Sequence, residues 1–198
     1  MTLRPLMITA MALTFLPTAG AAFDGCDVRP RAYDRDVAPA LTGAWTAANG
    51  AGNMWMFQGG MQMMAMPMPT EAPATMQIDL VDGNLVMSGG EFPEVAATLS
   101  TLDEVPDAGM TVPESLVGQL PAPGPDAASL ATPLGCDAGD LPVLSMMGDV
   151  PMEETGGTVV FQTVLFAVDE NTLSGRMTFS GTMQGMTIFA DRAVTLTR

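Results

Sequence analysis

The chain predicts an all-β fold, an antiparallel barrel or closed meander of about seven or eight strands, and three observations carry that expectation. From Thr172 to Met183 the residues alternate, with Leu173, Met177 and Phe179 on one side and Thr172, Ser174, Arg176 and Thr178 on the other. A period of two over that length describes a half-buried strand. The segments on either side, Thr158 to Val168 and Met186 to Thr197, are rich in Val, Phe, Ile and Thr, and short polar turns at Asp169-Glu170-Asn171 and Gln184-Gly185 join all three into a meander. Upstream, Asp82-Gly83 separates two strand-like runs, Met76 to Leu80 and Leu85 to Ser88, and Asp-Gly is a strong two-residue hairpin cue.

In chain order, residues 1–22 read as a signal peptide. Arg4 gives a charged start, Leu6 to Leu16 an apolar stretch, and Ala19-Gly20-Ala21-Ala22 a small-residue cleavage site. The apolar run is far shorter than the ~20 residues a membrane-crossing helix needs. Residues 23–198 then form a single β-rich domain. Leu41 to Ala47 and Asn53 to Gln58 add two strands, and Val95 to Leu99 a further one. Between about 103 and 157 the chain holds half of its 16 prolines, and this stretch is expected to be a loop insertion outside the sheet. Short helical turns are expected within it at Pro113 to Leu120 and at Asp126 to Leu130, the latter with Asp126 as cap. An exported chain with one pair of cysteines, Cys26 and Cys136, is expected to join them as a disulfide that pins the insertion.

The formal net charge is -15, there is no lysine, and no basic residue occurs between Arg35 and Arg176. Such a surface repels nucleic acid and anionic lipid, so neither is an expected partner. The absence of histidine removes Ser-His and Cys-His nucleophile pairs and ordinary imidazole metal sites. No phosphate-gripping loop or dinucleotide fingerprint occurs, and Glu153 and Glu154 are merely neighbours in sequence. The expected class is therefore an exported, acidic, non-catalytic binding protein, periplasmic or secreted. Asp79, Asp82 and Asn84, and separately Asp137 and Asp140, lack the spacing of a calcium loop and are expected to be solvated turn acids.

One segment does carry chemistry. Met54, Met56, Met61, Met63, Met64, Met66 and Met68 crowd around Trp55. Thioethers are soft, uncharged donors suited to Cu(I), with Trp55 placed to shield the ion; they are also adaptable core filler, and they are oxidisable. If Asn53 to Gln58 is a strand, Met54 and Met56 share one face and Trp55 and Phe57 the other. The sequence fixes no cofactor beyond this Cu(I) candidate, and a small molecule, a metal ion or a protein all stay open as partners.

Leu41-Thr42-Gly43-Ala44-Trp45 contains a Gly-x-Trp that resembles the opening of the first strand of lipocalins and related calycin-type barrels. The resemblance implies that Gly43 bends the strand, that Trp45 plugs the closed end, and that a basic residue from near the C-terminus packs over the indole. It also implies a cavity for a small apolar ligand. Arg192 shares a face with Ile188 and Val194, so it is the candidate for the barrel-closing cation over Trp45; alternatively a bulge turns it outward, or it pairs with Asp191 or another acid at the rim.

Overall fold

The computed structural model describes residues 23–90, 92–106, 124–152, 157–183 and 185–198. The expected signal peptide, the helical turn at Pro113 to Leu120, and Glu153 with Glu154 lie outside the described residues. Among the described residues nine strands follow in order: β1 (Gly43–Gln58), β2 (Met61–Met68), β3 (Ala74–Val81), β4 (Asn84–Gly89), β5 (Phe92–Ser100), β6 (Val143–Met152), β7 (Gly157–Asp169), β8 (Thr172–Met183) and β9 (Met186–Thr197). All neighbouring pairs are antiparallel, and β1 pairs with β9 to close a barrel of eight strands, leaving β2 as the extra strand. The all-β barrel expected from the alternation is the fold.

The walls are of unequal height. β3 pairs with β1 only through Gly43 to Ala47, and β5 pairs with β6 only through Val143 to Met146. Above that level a six-stranded wall, β2-β1-β9-β8-β7-β6, rises alone. Its two edges are β2 and the upper half of β6.

At the lower end the chain plugs itself. A 3-10 turn at Pro30–Ala32 and a wider π-helical turn at Tyr33–Val37 lead into α1 (Ala38–Leu41), burying Tyr33, Val37 and Leu41 against the barrel core. Trp45 is almost fully buried and its Nε1 donates to the Leu41 carbonyl at 2.9 Å. The interior above it is filled by Met76, Ile78, Leu85, Met87, Met146, Phe161, Leu165, Met177, Val194 and Leu196, a continuous apolar core. Burying such side chains stabilises by roughly 1.5–3 kcal/mol each before entropy is counted.

The expectation for residues 103–157 needs correction. Val143–Met152 is a barrel strand, not part of a loop. Its single prolines are tolerated by position: Pro142 precedes the strand, and Pro151 lies on the upper half, where one side bonds to no strand among the described residues. The helix expected at Asp126 does form, as α2 (Ala127–Leu134), with Asp126 accepting from the Ser129 amide at 2.7 Å. Ala131 of α2 packs with Leu141, Val143 and Phe166 outside the barrel, a small second core that also takes in Cys26 and Cys136. Those cysteines are at disulfide distance, with Cα atoms 6.1 Å apart. No helix among the described residues is long and apolar enough to cross a membrane.

Candidate functional site

The methionine segment folds as the β1–β2 hairpin at the top of the wall. Its register sets Met54 opposite Met66 and Met56 opposite Met64, with Met68 opposite Gly52 and Met61 opposite Gln58. Directly opposed residues of an antiparallel pair share a face with Cβ atoms about 4.5–5.5 Å apart, so two thioether pairs stand side by side. Met63 is the extra residue of a bulge between the Met56 and Phe57 registers. On its other side β1 brings Ile188 opposite Met56 and Ala190 opposite Met54. Phe179 and Phe161 continue the row on β8 and β7. This face runs on from the barrel interior. Met54, Met56, Ile188 and Phe179 are half-buried on it, and Met64 and Met66 are exposed.

Trp55 is on the other face. It opposes Ala65 and Phe189, packs against the Phe189 ring with centroids 5.9 Å apart, and is buried there with Phe57 alongside. The split expected from alternation, Met54 and Met56 against Trp55 and Phe57, is therefore present. The backbone of β1 therefore separates the indole from the paired sulfurs, and Trp55 does not take the expected position shielding an ion bound between them.

Arg192 points to the inner face, as its alternation with Ile188 and Val194 requires, but it does not reach Trp45. Its Nη1 pairs with Glu71 at 2.5 Å, and its Nη2 donates to the carbonyls of Gly50 (3.0 Å) and Pro69 (3.1 Å). The Arg192 side chain is only 4% exposed while that of Glu71 is 51% exposed, so the pair sits at the rim of the wall. Gly52 makes the crossing possible: a Cβ there would lie 2.6 Å from the Arg192 Cβ and 2.3 Å from the Asp191 carbonyl oxygen. The hydrogen bond from Arg192 is the largest influence on Glu71 and holds its carboxyl below the usual glutamate range. Glu71 was legible only as an oddity, the one charged residue between Asp36 and Asp79.

The cation over Trp45 is Arg198, whose guanidinium carbon is 4.4 Å from the ring centroid. Its Nη1 donates to the Thr42 carbonyl at 2.9 Å and its Nη2 to the carbonyls of Ala40 and Glu170. Gly43 and Trp45 thus serve the closed end with a different arginine from the one expected. No sequence period marks Arg198, because its partners come from two distant segments, the end of α1 with the start of β1 and the β7–β8 turn.

The remaining candidates resolve simply. Asp137 and Asp140 form a reciprocal cap on a short turn, and the Asp79 carboxylate accepts from Gln77. Among the described residues no group of three or more His, Cys, Asp or Glu side chains is placed to hold a metal. A cavity of about 310 Å³ lies outside the barrel, between the start of α2 and the β7–β8 wall, lined by Asp126, Gln162, Val164, Phe166, Arg176 and Thr178. No protein-family model matches the chain, and no curated protein or solved structure matches it either.

Proposed function

We propose that this protein is an exported, non-catalytic binding protein that captures Cu(I), or a similarly soft ion, on the inner face of the β1–β2 hairpin. The observation that carries the proposal is the pairing of Met54 with Met66 and of Met56 with Met64 on one accessible face. Two to three thioethers from these pairs would hold the ion, since sulfur donors favour Cu(I) over hard cations. Glu71 neutralises Arg192 at the lower end of the row, so an arriving cation meets no bare positive charge. The acidic surface draws cations toward it in a salt-dependent way. Export is supported by the cysteine pair at disulfide distance, which belongs in an oxidising compartment.

The lipocalin-like alternative, an apolar ligand inside the barrel, is less favoured. Met76, Met87, Met146, Met177 and Phe161 already fill the volume such a ligand would occupy.

Titration of the purified protein with Cu(I) against a competing chelator tests the proposal. Replacing Met54, Met56, Met64 and Met66 together by Leu should weaken uptake by about a hundredfold or more, whereas Met61→Leu should change it by less than about threefold. Thioethers carry no proton to lose, so uptake by the parent should be the same at pH 7 and pH 5. Equal uptake by the fourfold variant, or no uptake by the parent below micromolar Cu(I), would reject the site.

A further inference from the structure

The described methionines range from exposed to buried, and the exposed ones concentrate on β2, with Met147 of β6 at 50% exposure the exception. On β2, Met61 is 69% exposed, Met63 59%, Met64 45% and Met66 37%, whereas Met76, Met87, Met146 and Met177 are 5–8% exposed inside the barrel. β2 is also the terminal strand of the sheet and bonds to β1 alone. A sulfoxide formed there projects into water, while a sulfoxide in the barrel would put an unpaired polar oxygen among apolar side chains.

We infer that β2 is an oxidant-accepting strip, in which Met61, Met63, Met64 and Met66 react with a hydroperoxide ahead of every core methionine and the fold survives the change. In each event a sulfur lone pair attacks the distal peroxide oxygen, the S–O bond forms and the O–O bond breaks. The proton on the transferred oxygen passes to the departing hydroxide or alkoxide, giving water or alcohol. Sulfur loses two electrons and the peroxide gains them, so each methionine removes one peroxide. The strip acts stoichiometrically. The consequence for metal capture rests on the function proposed above: a sulfoxide no longer offers a soft sulfur donor, so oxidation of Met64 and Met66 removes one member of each cross-strand pair and lowers Cu(I) uptake.

The test treats the native full chain with limiting hydrogen peroxide and locates added oxygens by fragmentation mass spectrometry, with circular dichroism and thermal melting on the same samples. Met61, Met63, Met64 and Met66 should oxidise at least about tenfold faster than Met76, Met87, Met146 and Met177, and the melting curve of the product should match that of the starting protein. Comparable rates in strip and core, or unfolding that tracks the first oxygens added, would overturn the inference. A variant with Leu at the four β2 positions should consume four fewer peroxides per chain before its core reacts; undiminished consumption would also overturn it. Cu(I) uptake by the unoxidised parent tests the metal proposal alone. If it is absent while the oxidation map is selective, the metal site fails and the strip stands.

Discussion

Asp191 and Arg192 are consecutive on β9 and each is only 4% exposed, yet they face opposite sides of the wall. Arg192, inside, has Glu71. Asp191, outside, has a hydrogen bond from Asn53 and the more distant attraction of Arg176, but burial is the largest influence and pushes its carboxyl above the usual aspartate range. Its Oδ1 is buried with no hydrogen-bond partner among the described residues. A carboxyl whose folded pKa is raised favours folding fully only below its unfolded value near 3.8, and that contribution is lost as pH rises through the folded value. Glu71 runs the other way: its lowered pKa gives stability above its unfolded value near 4.5 that disappears as pH falls through the folded value. Asp191→Asn removes the buried charge and keeps a similar shape. The variant should melt a few degrees higher than the parent at pH 7, with the difference shrinking toward pH 4, in thermal melts across that range. A lower melting point at pH 7 would mean that the pull of Arg176 outweighs burial.

The same competition between local preference and distant contact decides whole elements. α2 has eight residues, too few for a helix to persist alone in water, so it depends on its packing against Val143 and Phe166 and on the tether from Cys136 to Cys26. The pair closes a loop of 110 residues, for which chain entropy gives about 4–5 kcal/mol. Replacing both cysteines by Ser should cost about 2–5 kcal/mol in urea denaturation and remove amide-exchange protection from residues 127–134 well before the barrel opens. Simultaneous loss of protection in helix and barrel would place the tether within the global folding unit instead. β7, β8 and β9 were legible because each buries one face and alternates; the β3–β4 turn was legible because Asp82 and Gly83 both take positive φ. β6 was hidden by its neighbours' prolines, and β2 by the absence of any polar side on a strand exposed along its edge. β1 read as two strands because Gly50, Ala51 and Gly52 break the pattern at a bulge that the β9 pairing spans. In the candidate site, facing could be counted along β1, but the match of Met54 with Met66 depends on where β2 turns back. The partners of Arg192 and Arg198 lie more than 100 residues away in sequence, apart from the Glu170 carbonyl, and no local pattern encodes them.

Across the whole molecule, 22 acidic residues face seven arginines, and the arginines do little to balance the surface. Arg192 and Arg198 are engaged within the fold, and Arg35 pairs with its neighbour Asp36. The compact state therefore gathers like charges that the unfolded chain would spread apart, a destabilising term that acts through solvent and is screened over about 10 Å at 0.1 M salt. The Arg192–Glu71 pair opposes it locally, but one contact at the rim cannot offset a net charge of -15. Raising sodium chloride from about 10 mM to 150 mM should thus raise the melting temperature by several degrees, with most of the gain complete once the screening length falls below the spacing of surface carboxylates. Scanning calorimetry over a salt series measures it. The chemistry of the added salt separates the causes: chloride and sulfate at equal ionic strength should act alike if screening is responsible, whereas a much larger effect of sulfate would assign the gain to strengthened apolar burial. A melting temperature that is flat or falls with salt would show that attractive pairs, rather than acidic self-repulsion, dominate the surface.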